Sequence, residues 1–166
     1  MPLFSDQLPN RKAFPKSTWK SAKKLQLIHT DMAGPLKTPS LKGSRYYILF
    51  IDDFTRMCWI FFMKYKSEVV EIFWKFKKNV ENQSRCRIQA IRSDNGKEYT
   101  SLEFNQYCED AGIEHQLKTL YTPEKNGVSE RRNRYIMEMV KCMLHEKDLS
   151  KIFWAEAANI VVFLQN

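Results

Sequence analysis

The chain has 166 residues, with 27 Lys and Arg against 19 Asp and Glu, so its formal net charge is +8. A hydrophobic share of 43% and an aromatic share of 13% favour one folded domain and argue against a disordered chain. No apolar run reaches the roughly 18 residues of a membrane span, and the first residues lack the apolar core of a signal peptide. The excess positive charge favours a polyanionic partner, not a membrane.

Cysteine and histidine usage argues against a zinc site. The four cysteines and three histidines are scattered, without a CxxC pair, so we expect reduced, mostly buried thiols in an intracellular protein. The sequence also lacks a P-loop and a dinucleotide-binding fingerprint, so we expect no nucleotide cofactor.

After a polar lead segment, residues 1–24, the pattern predicts strands. The apolar run 25–31 predicts a first strand that ends at its acidic residue. Two runs rich in aromatic and β-branched residues, 46–54 and 57–65, are separated by only two residues and predict a hairpin. Both runs are almost continuously apolar, which is typical of strands covered on two faces.

Helices and strands then alternate. Apolar residues at helical spacing between 69 and 80 predict a helix with Ser67 as its N-cap, and 87–94 predicts a strand that again ends in an acid. Thr100 and Glu103 form a capping-box pattern that predicts the start of the next helix. The apolar face of that helix comprises Phe104, Cys108 and Ala111.

Gly112 predicts the end of this helix in the left-handed conformation, and 113–119 predicts a short strand. A loop at 119–129 precedes a helix that carries Glu130 in its first turns, and a last helix starts near Ser150. The predicted core positions of these two helices are Ile136, Met139, Val140 and Met143, then Phe153, Ala157, Ile160 and Leu164.

The element order β-β-β-α-β-α-β-α-α predicts an α/β fold. An antiparallel meander of three strands followed by αβ units gives a five-stranded mixed sheet with helices on both faces. Residues 25–166 would form this one domain.

Three acids lie at the ends or starts of predicted elements. Asp31 and Asp94 end strands, and Glu130 opens a helix, with 62 and 35 residues between them. Each alone is better explained as a turn former or a helix-dipole complement. Together they favour a site in which carboxylates hold divalent ions beside a phosphodiester. For Asp52 and Asp53, near the hairpin turn, we expect a turn or salt-bridge role.

The settings of the three acids, HTD, RSDNGKEY and PEKNGVSERRNR, resemble the catalytic core of retroviral-type integrases, and most closely the copia-type retrotransposon branch. The resemblance implies an RNase H-like fold and polynucleotidyl transfer, that is, DNA 3′-end processing and strand transfer. It makes Asp31, Asp94 and Glu130 the catalytic residues and the ligands of two Mg²⁺ or Mn²⁺ ions when substrate is bound.

The resemblance also implies partners and location. It implies element ends and target duplex as DNA partners, a homodimer or higher oligomer, and a nuclear site of action, although the chain shows no clear import signal and would otherwise be cytoplasmic. Residues 1–24 resemble a linker remnant that follows a zinc-binding module. One departure is PEKNGVSE, where the family commonly has two glutamines before NGV.

Basic and polar residues around the acids are candidate DNA contacts. Arginines would bind backbone phosphates without reading sequence, although a solvated basic helix face is the simpler alternative for each. An aromatic residue of the loop could stack on a base or pack internally. The candidates are Lys97, Tyr121, Asn126, Arg131, Arg132 and Arg134.

Two alternatives to an active integrase core stay open. The chain could be a catalytically silent DNA-binding or oligomerising remnant of a degenerate retroelement. It could also be an RNase H-type nuclease on RNA–DNA hybrids, although the NGVSERRNR helix does not support that function.

Overall fold

A computed structural model describes residues 20–117 and 127–166. A five-stranded sheet forms its centre, in the order β3-β2-β1-β4-β5. The strands are β1 Leu27–Ala33, β2 Tyr46–Asp52, β3 Cys58–Met63, β4 Ala90–Ser93 and β5 Glu114–Leu117. β1 pairs antiparallel with β2 and parallel with β4, while β2–β3 is antiparallel and β4–β5 parallel. The predicted mixed sheet is therefore confirmed.

In the described part of the chain, five α-helices connect or follow these strands. They are α1 Val69–Ser84, α2 Lys97–Thr100, α3 Leu102–Ala111, α4 Gly127–Glu146 and α5 Trp154–Gln165. Short 3-10 turns, Lys66–Glu68 and Lys151–Phe153, lead into α1 and α5. Within the described residues, no helix is long and apolar enough to cross a bilayer.

Hydrophobic cores lie on both faces of the sheet, as predicted. β2 is apolar along almost its whole length because its alternate side chains enter opposite cores. Phe50 packs under α1, where its ring stacks on Phe76 at a centroid distance of 4.2 Å. Leu49 points the other way, into the core that α4 and α5 cover with Val140 and Ala158.

The hairpin turn is longer than predicted. Five residues, 53–57, separate β2 from β3, because the carboxylate of Asp52 organises a turn around Thr55. Its Oδ2 accepts hydrogen bonds from the Thr55 N–H at 3.2 Å and the Thr55 hydroxyl at 2.7 Å. Its Oδ1 accepts from the Leu25 N–H at 2.9 Å. The predicted turn role of Asp52 is confirmed.

Two predicted helix caps were wrong. Ser67 lies inside a 3-10 turn, and the carboxylate of Glu68 there accepts from the N–H groups of Lys64 and Tyr65. Thr100 is the last residue of the short α2, so the next residue, Ser101, caps α3 by accepting from the Phe104 N–H at 3.1 Å.

Gly112 ends α3 as predicted, with the left-handed φ of 69° that glycine adopts without a steric penalty.

The core face of the last two helices was predicted only in part. In α4, Ile136 and Val140 are buried, but Met139 is exposed. In α5, Ala157 is buried, whereas Ile160 and Leu164 are 49% and 73% exposed. α5 is apolar around most of its circumference, so its pattern did not single out one face. The buried face is instead the one rich in alanine, which allows close packing on the sheet.

Parts of three predicted segments lie outside the described residues. These are residues 1–19 of the lead segment and residues 118–126, which hold the end of the fifth predicted strand and most of the predicted loop.

Candidate active site

Asp31 lies within β1 and not at its end as predicted, because the strand continues to Ala33 against β2. The residue is 9% exposed and pairs with Leu49 across the antiparallel ladder. Its Oδ2 accepts a hydrogen bond of 3.0 Å from the side-chain amide of Asn133 in α4. The amide oxygen of Asn133 in turn accepts from the Tyr47 hydroxyl. This chain of contacts fixes the orientation of the Asp31 carboxyl.

The pKa of Asp31 is raised from 3.8 to about 6. Burial is the main cause, because a desolvated carboxylate is disfavoured, and the negative charges of Asp94 and Glu130 raise it further. The hydrogen bond from Asn133 acts in the opposite direction, since it stabilises the ionised form. The three predicted acids are therefore close enough to interact electrostatically.

Parallel pairing brings Asp94 to the same end of the sheet as Asp31. The register between β1 and β4 ends with His29 opposite Arg92, and Asp31 and Asp94 each follow two residues later. Asp94 directly follows β4, and its Oδ1 accepts from the Gly96 N–H at 2.9 Å, which shapes the turn into α2. The turn role and the site role are thus compatible for this residue.

Glu130 lies in the first turn of α4 and is solvent-exposed. One helical turn later, Asn133 carries the amide that binds Asp31, so Glu130 lies three residues before this contact on the same face of α4. Sequence reasoning missed Asn133. Its spacing of three residues from a candidate metal ligand on a helix was the available signal.

Buried hydroxyl groups support the strands that carry the acids. The Thr30 and Tyr99 hydroxyls are 3.0 Å apart, and Tyr99 is fully buried. Burial raises the pKa of Tyr99 well above its usual value, and the charges of Asp31 and Asp94 add to this effect. Tyr99 therefore stays a neutral hydrogen-bonding group below the site.

Among the described residues, no group of three His, Cys, Asp or Glu is arranged as a formed metal cage. The donor set nevertheless fits a hard divalent ion, because the side chains are carboxylates and one of them is buried at a raised pKa. A cation would offset the repulsion between the acids, which adds to the effect of burial on this pKa. Open sites of this kind take water and phosphate oxygens as further ligands.

Asp53 serves at the opposite end of β1. Its carboxylate accepts from the Ser21 N–H and hydroxyl, at 3.0 and 2.7 Å, and lies 2.7 Å from His29 Nε2. Burial alone would raise the pKa of Asp53, but these hydrogen bonds outweigh it and lower the pKa to about 2. The predicted salt-bridge role is confirmed, since Arg56 lies 3.8 Å away.

The predicted DNA contacts are differently placed. Lys97 begins α2 beside Asp94, and Arg131 and Arg134 are exposed on the first turns of α4. Arg132 is half-buried and donates to the Arg56 carbonyl oxygen at 3.0 Å, so it has a structural role as well. The other two predicted contacts, Tyr121 and Asn126, lie outside the described residues.

Asn133→Ala is expected to raise the pKa of Asp31 above 6 in the metal-free protein. The amide stabilises the carboxylate through one charge-assisted hydrogen bond, and its loss corresponds to about one pH unit. Carboxyl chemical shifts followed against pH by NMR measure this change. The matched control is Asn79→Ala, an exposed position of α1. An unchanged titration of Asp31 in Asn133→Ala would contradict the contact.

The strand order of the mixed sheet defines an α/β domain with an RNase H-like fold. The chain belongs to the integrase core domain family, whose model matches residues 21–123. It is 40% identical over 164 residues to the retrovirus-related Pol polyprotein from transposon TNT 1-94 of Nicotiana tabacum, covering 99% of this chain and 12% of that protein. The resemblance found in the sequence is confirmed.

A second relative supports the same family. The chain is 39% identical over 154 residues to the Pol polyprotein from transposon RE2 of Arabidopsis thaliana, covering 92% of this chain and 10% of that protein. It thus spans about a tenth of the length of the curated relatives it matches.

A cryoEM structure of the simian T-cell lymphotropic virus intasome, in complex with PP2A regulatory subunit B56 gamma, matches with a TM-score of 0.68 at 18% identity. The match covers 87% of this chain and 49% of that one. At this identity, the likeness shows the fold alone.

Proposed function

We propose that this chain is the catalytic core of a retrotransposon integrase that joins DNA strands by metal-dependent phosphoryl transfer. The single observation that carries the proposal is the buried carboxyl of Asp31, whose pKa is raised to about 6 beside Asp94 and Glu130. The structural aspartate Asp52 is held by three hydrogen bonds from N–H and hydroxyl donors. Asp31 has an amide as its side-chain partner and two further acids nearby, which is an arrangement suited to a divalent ion.

Asp31, Asp94 and Glu130 would hold Mg²⁺ or Mn²⁺, with two ions present when substrate is bound. The ions would lower the pKa of the attacking group and neutralise charge on the leaving oxygen. Asn133, held by Tyr47, keeps the Asp31 carboxyl in one orientation. Tyr99 supports the neighbouring strand residue from below.

The proposed reaction has two steps. In the first, water attacks a phosphorus near the end of the element's DNA, and the P–O3′ bond breaks to leave a free 3′-hydroxyl. In the second, that hydroxyl attacks a target phosphodiester, a new P–O bond forms, and the target 3′-oxygen leaves. The first step converts one phosphodiester into a 3′-hydroxyl and a 5′-phosphomonoester, with release of a proton, whereas the second exchanges one phosphodiester for another.

The DNA would lie across the basic side chains around the site. Lys97, Arg131 and Arg134 are placed to bind backbone phosphates, with Arg132 behind them. Tyr121 and Asn126 are proposed to contact the DNA from the loop before α4. We also propose that the active form is a homodimer or higher oligomer, acting on element ends and target duplex.

Metal dependence tests the proposed activity on a branched DNA that mimics the joined product. The chain is expected to reverse strand transfer on this substrate in Mg²⁺ or Mn²⁺, and EDTA is expected to abolish the reaction. The same chain should leave an RNA–DNA hybrid uncut. Product lengths on denaturing gels give the readout.

Each alternative has its own outcome in this assay. Retained DNA binding without any metal-dependent product would refute the enzyme and favour a silent DNA-binding remnant. Preferential cleavage of the RNA strand of the hybrid would favour an RNase H-type nuclease.

A further inference from the structure

A basic cleft of about 290 Å³ opens between the β2–β3 turn, the first turns of α4 and the end of α5. Its lining residues are Arg56, Val128, Arg131, Arg132, Tyr135 and Gln165. Three of these six carry a guanidinium group, and none of the described lining residues is acidic. The cleft therefore concentrates positive charge contributed by separate segments of the chain.

Arg132 builds the back of this cleft. It donates to the carbonyl oxygen of Arg56 at 3.0 Å and to the side chain of Gln165 at 3.5 Å. The Arg56 backbone is itself held in a left-handed conformation, φ 64°, with its N–H donating to the Asp52 carbonyl at 2.8 Å. These hydrogen bonds connect the β2–β3 turn to α4. They fix the backbone of Arg56, from which its side chain extends.

The guanidinium groups of Arg56 and Arg131 lie on the solvent-exposed side of the cleft. The side chain of Arg56 is 51% exposed, and its contact with Asp53 is a loose 3.8 Å. Asp53 is already occupied by Ser21 and His29, so it neutralises Arg56 only in part. Arg131 is exposed, and its guanidinium lies over Gly127, where a Cβ atom would come within 2.6 Å of Nη1.

Three guanidinium groups that line one cleft repel one another unless an anion lies between them. Guanidinium donors match the oxygens of a phosphodiester, and the phenol of Tyr135 and the amide of Gln165 add neutral hydrogen-bonding groups. A solvated basic face does not account for the cleft, because a face of that kind has no lining from a distant turn. The chemistry of the lining is that of a phosphate subsite.

We infer that this cleft binds a backbone phosphate of the DNA on which the proposed active site acts. Arg131 is the direct chain neighbour of Glu130, so the subsite would lie beside the one site carboxylate that α4 carries. Bound DNA would therefore continue from the reacting phosphodiester over the start of α4 to the β2–β3 turn. This inference rests on the proposed function for the identity of its ligand.

Arg56→Ala tests the subsite, with a labelled DNA duplex titrated at several salt concentrations. Loss of one phosphate contact should make the negative slope of log K, the DNA association constant, against log salt shallower by about 0.9. It should weaken binding roughly eightfold at 0.1 M salt. Arg87→Ala removes the same charge from an exposed position before β4 and serves as the matched control. Arg56→Lys keeps the charge and should restore most of the slope.

Circular dichroism checks that each variant is folded, and Arg56→Gln, which removes the charge but keeps a long polar side chain, keeps the test decisive if Arg56→Ala is destabilised. Equal slopes for the wild type and a folded Arg56 variant lacking the charge would overturn the subsite. Equal losses in Arg56→Ala and Arg87→Ala would also overturn it, because they would indicate diffuse charge. A reduced slope in a chain that never joins DNA would instead refute the proposed function and leave the subsite standing.

Discussion

Asp31→Asn is expected to abolish metal-dependent DNA joining while DNA binding is retained. The substitution keeps the size of the side chain but removes the charge that would hold the ions. Loss of one carboxylate ligand costs several kcal/mol of transition-state stabilisation, which corresponds to at least about 10³-fold in rate. Initial rates on the branched substrate, with duplex binding measured separately, give both quantities.

The same substitution is expected to stabilise the metal-free protein near neutral pH. The folded pKa of Asp31 is about 6 against 3.8 unfolded, so its favourable contribution is complete below pH 3.8 and is lost as pH rises through about 6. The difference between these pKa values corresponds to about 3 kcal/mol at pH 7 as an upper limit. Urea unfolding at pH 7 and pH 3.5 measures the gain, which should vanish at the lower pH.

A structural role for Asp31 predicts the reverse. If the Asp31 carboxylate stabilised the fold by pairing with a cation, Asp31→Asn would lower the free energy of unfolding at pH 7. Joining activity that survives the substitution would remove Asp31 from the proposed site. Opposite movement of activity and stability is characteristic of a functional charge held at a cost to the fold.

Glu130→Gln is expected to reduce joining by at least about 10³-fold for the same reason, with little change in stability. Glu130 is exposed in the first turn of α4, so the fold does not depend on desolvating its charge. Glu138→Gln provides the matched control, since it makes the same chemical change at an exposed position two turns later on the same helix.

Melting temperature, duplex affinity and joining rate should be compared for both glutamine variants. A normal joining rate in Glu130→Gln would exclude this residue as a ligand. Equal losses in both variants would point to a general effect of charge on α4 and would equally contradict a specific role.

The structural roles of Asp52 and Asp53 could be predicted from the local sequence. Their position near a hairpin turn predicted structural roles, and both are occupied by hydrogen bonds that hold the turn and the segment before β1. The strands were predictable for a similar reason. Alternate residues of β2 enter two cores, and a strand buried on both faces needs a continuous apolar sequence.

The faces of the last helices were less predictable. α5 carries apolar residues on most sides, so periodicity placed Ile160 and Leu164 inside although both are exposed. The sheet selected the alanine-bearing face, and that choice depends on the shape of a surface built by other segments. The predicted helix caps were wrong for a related reason, because a 3-10 turn precedes α1 and the short α2 precedes α3, so both helices start later than predicted.

The sequence by itself determined the fold class and the order of the elements apart from the short α2, and it predicted the three acids of the proposed site, because these depend on local pattern and on long, distinctive motifs. Only the tertiary structure decided that Asn133 reaches Asp31, that parallel pairing of β1 with β4 brings Asp94 to the end of the sheet that holds Asp31, and that Arg56 joins a cleft with Arg131. Such contacts join residues tens of positions apart. Their distances are set by how the sheet and helices pack, which no local spacing contains.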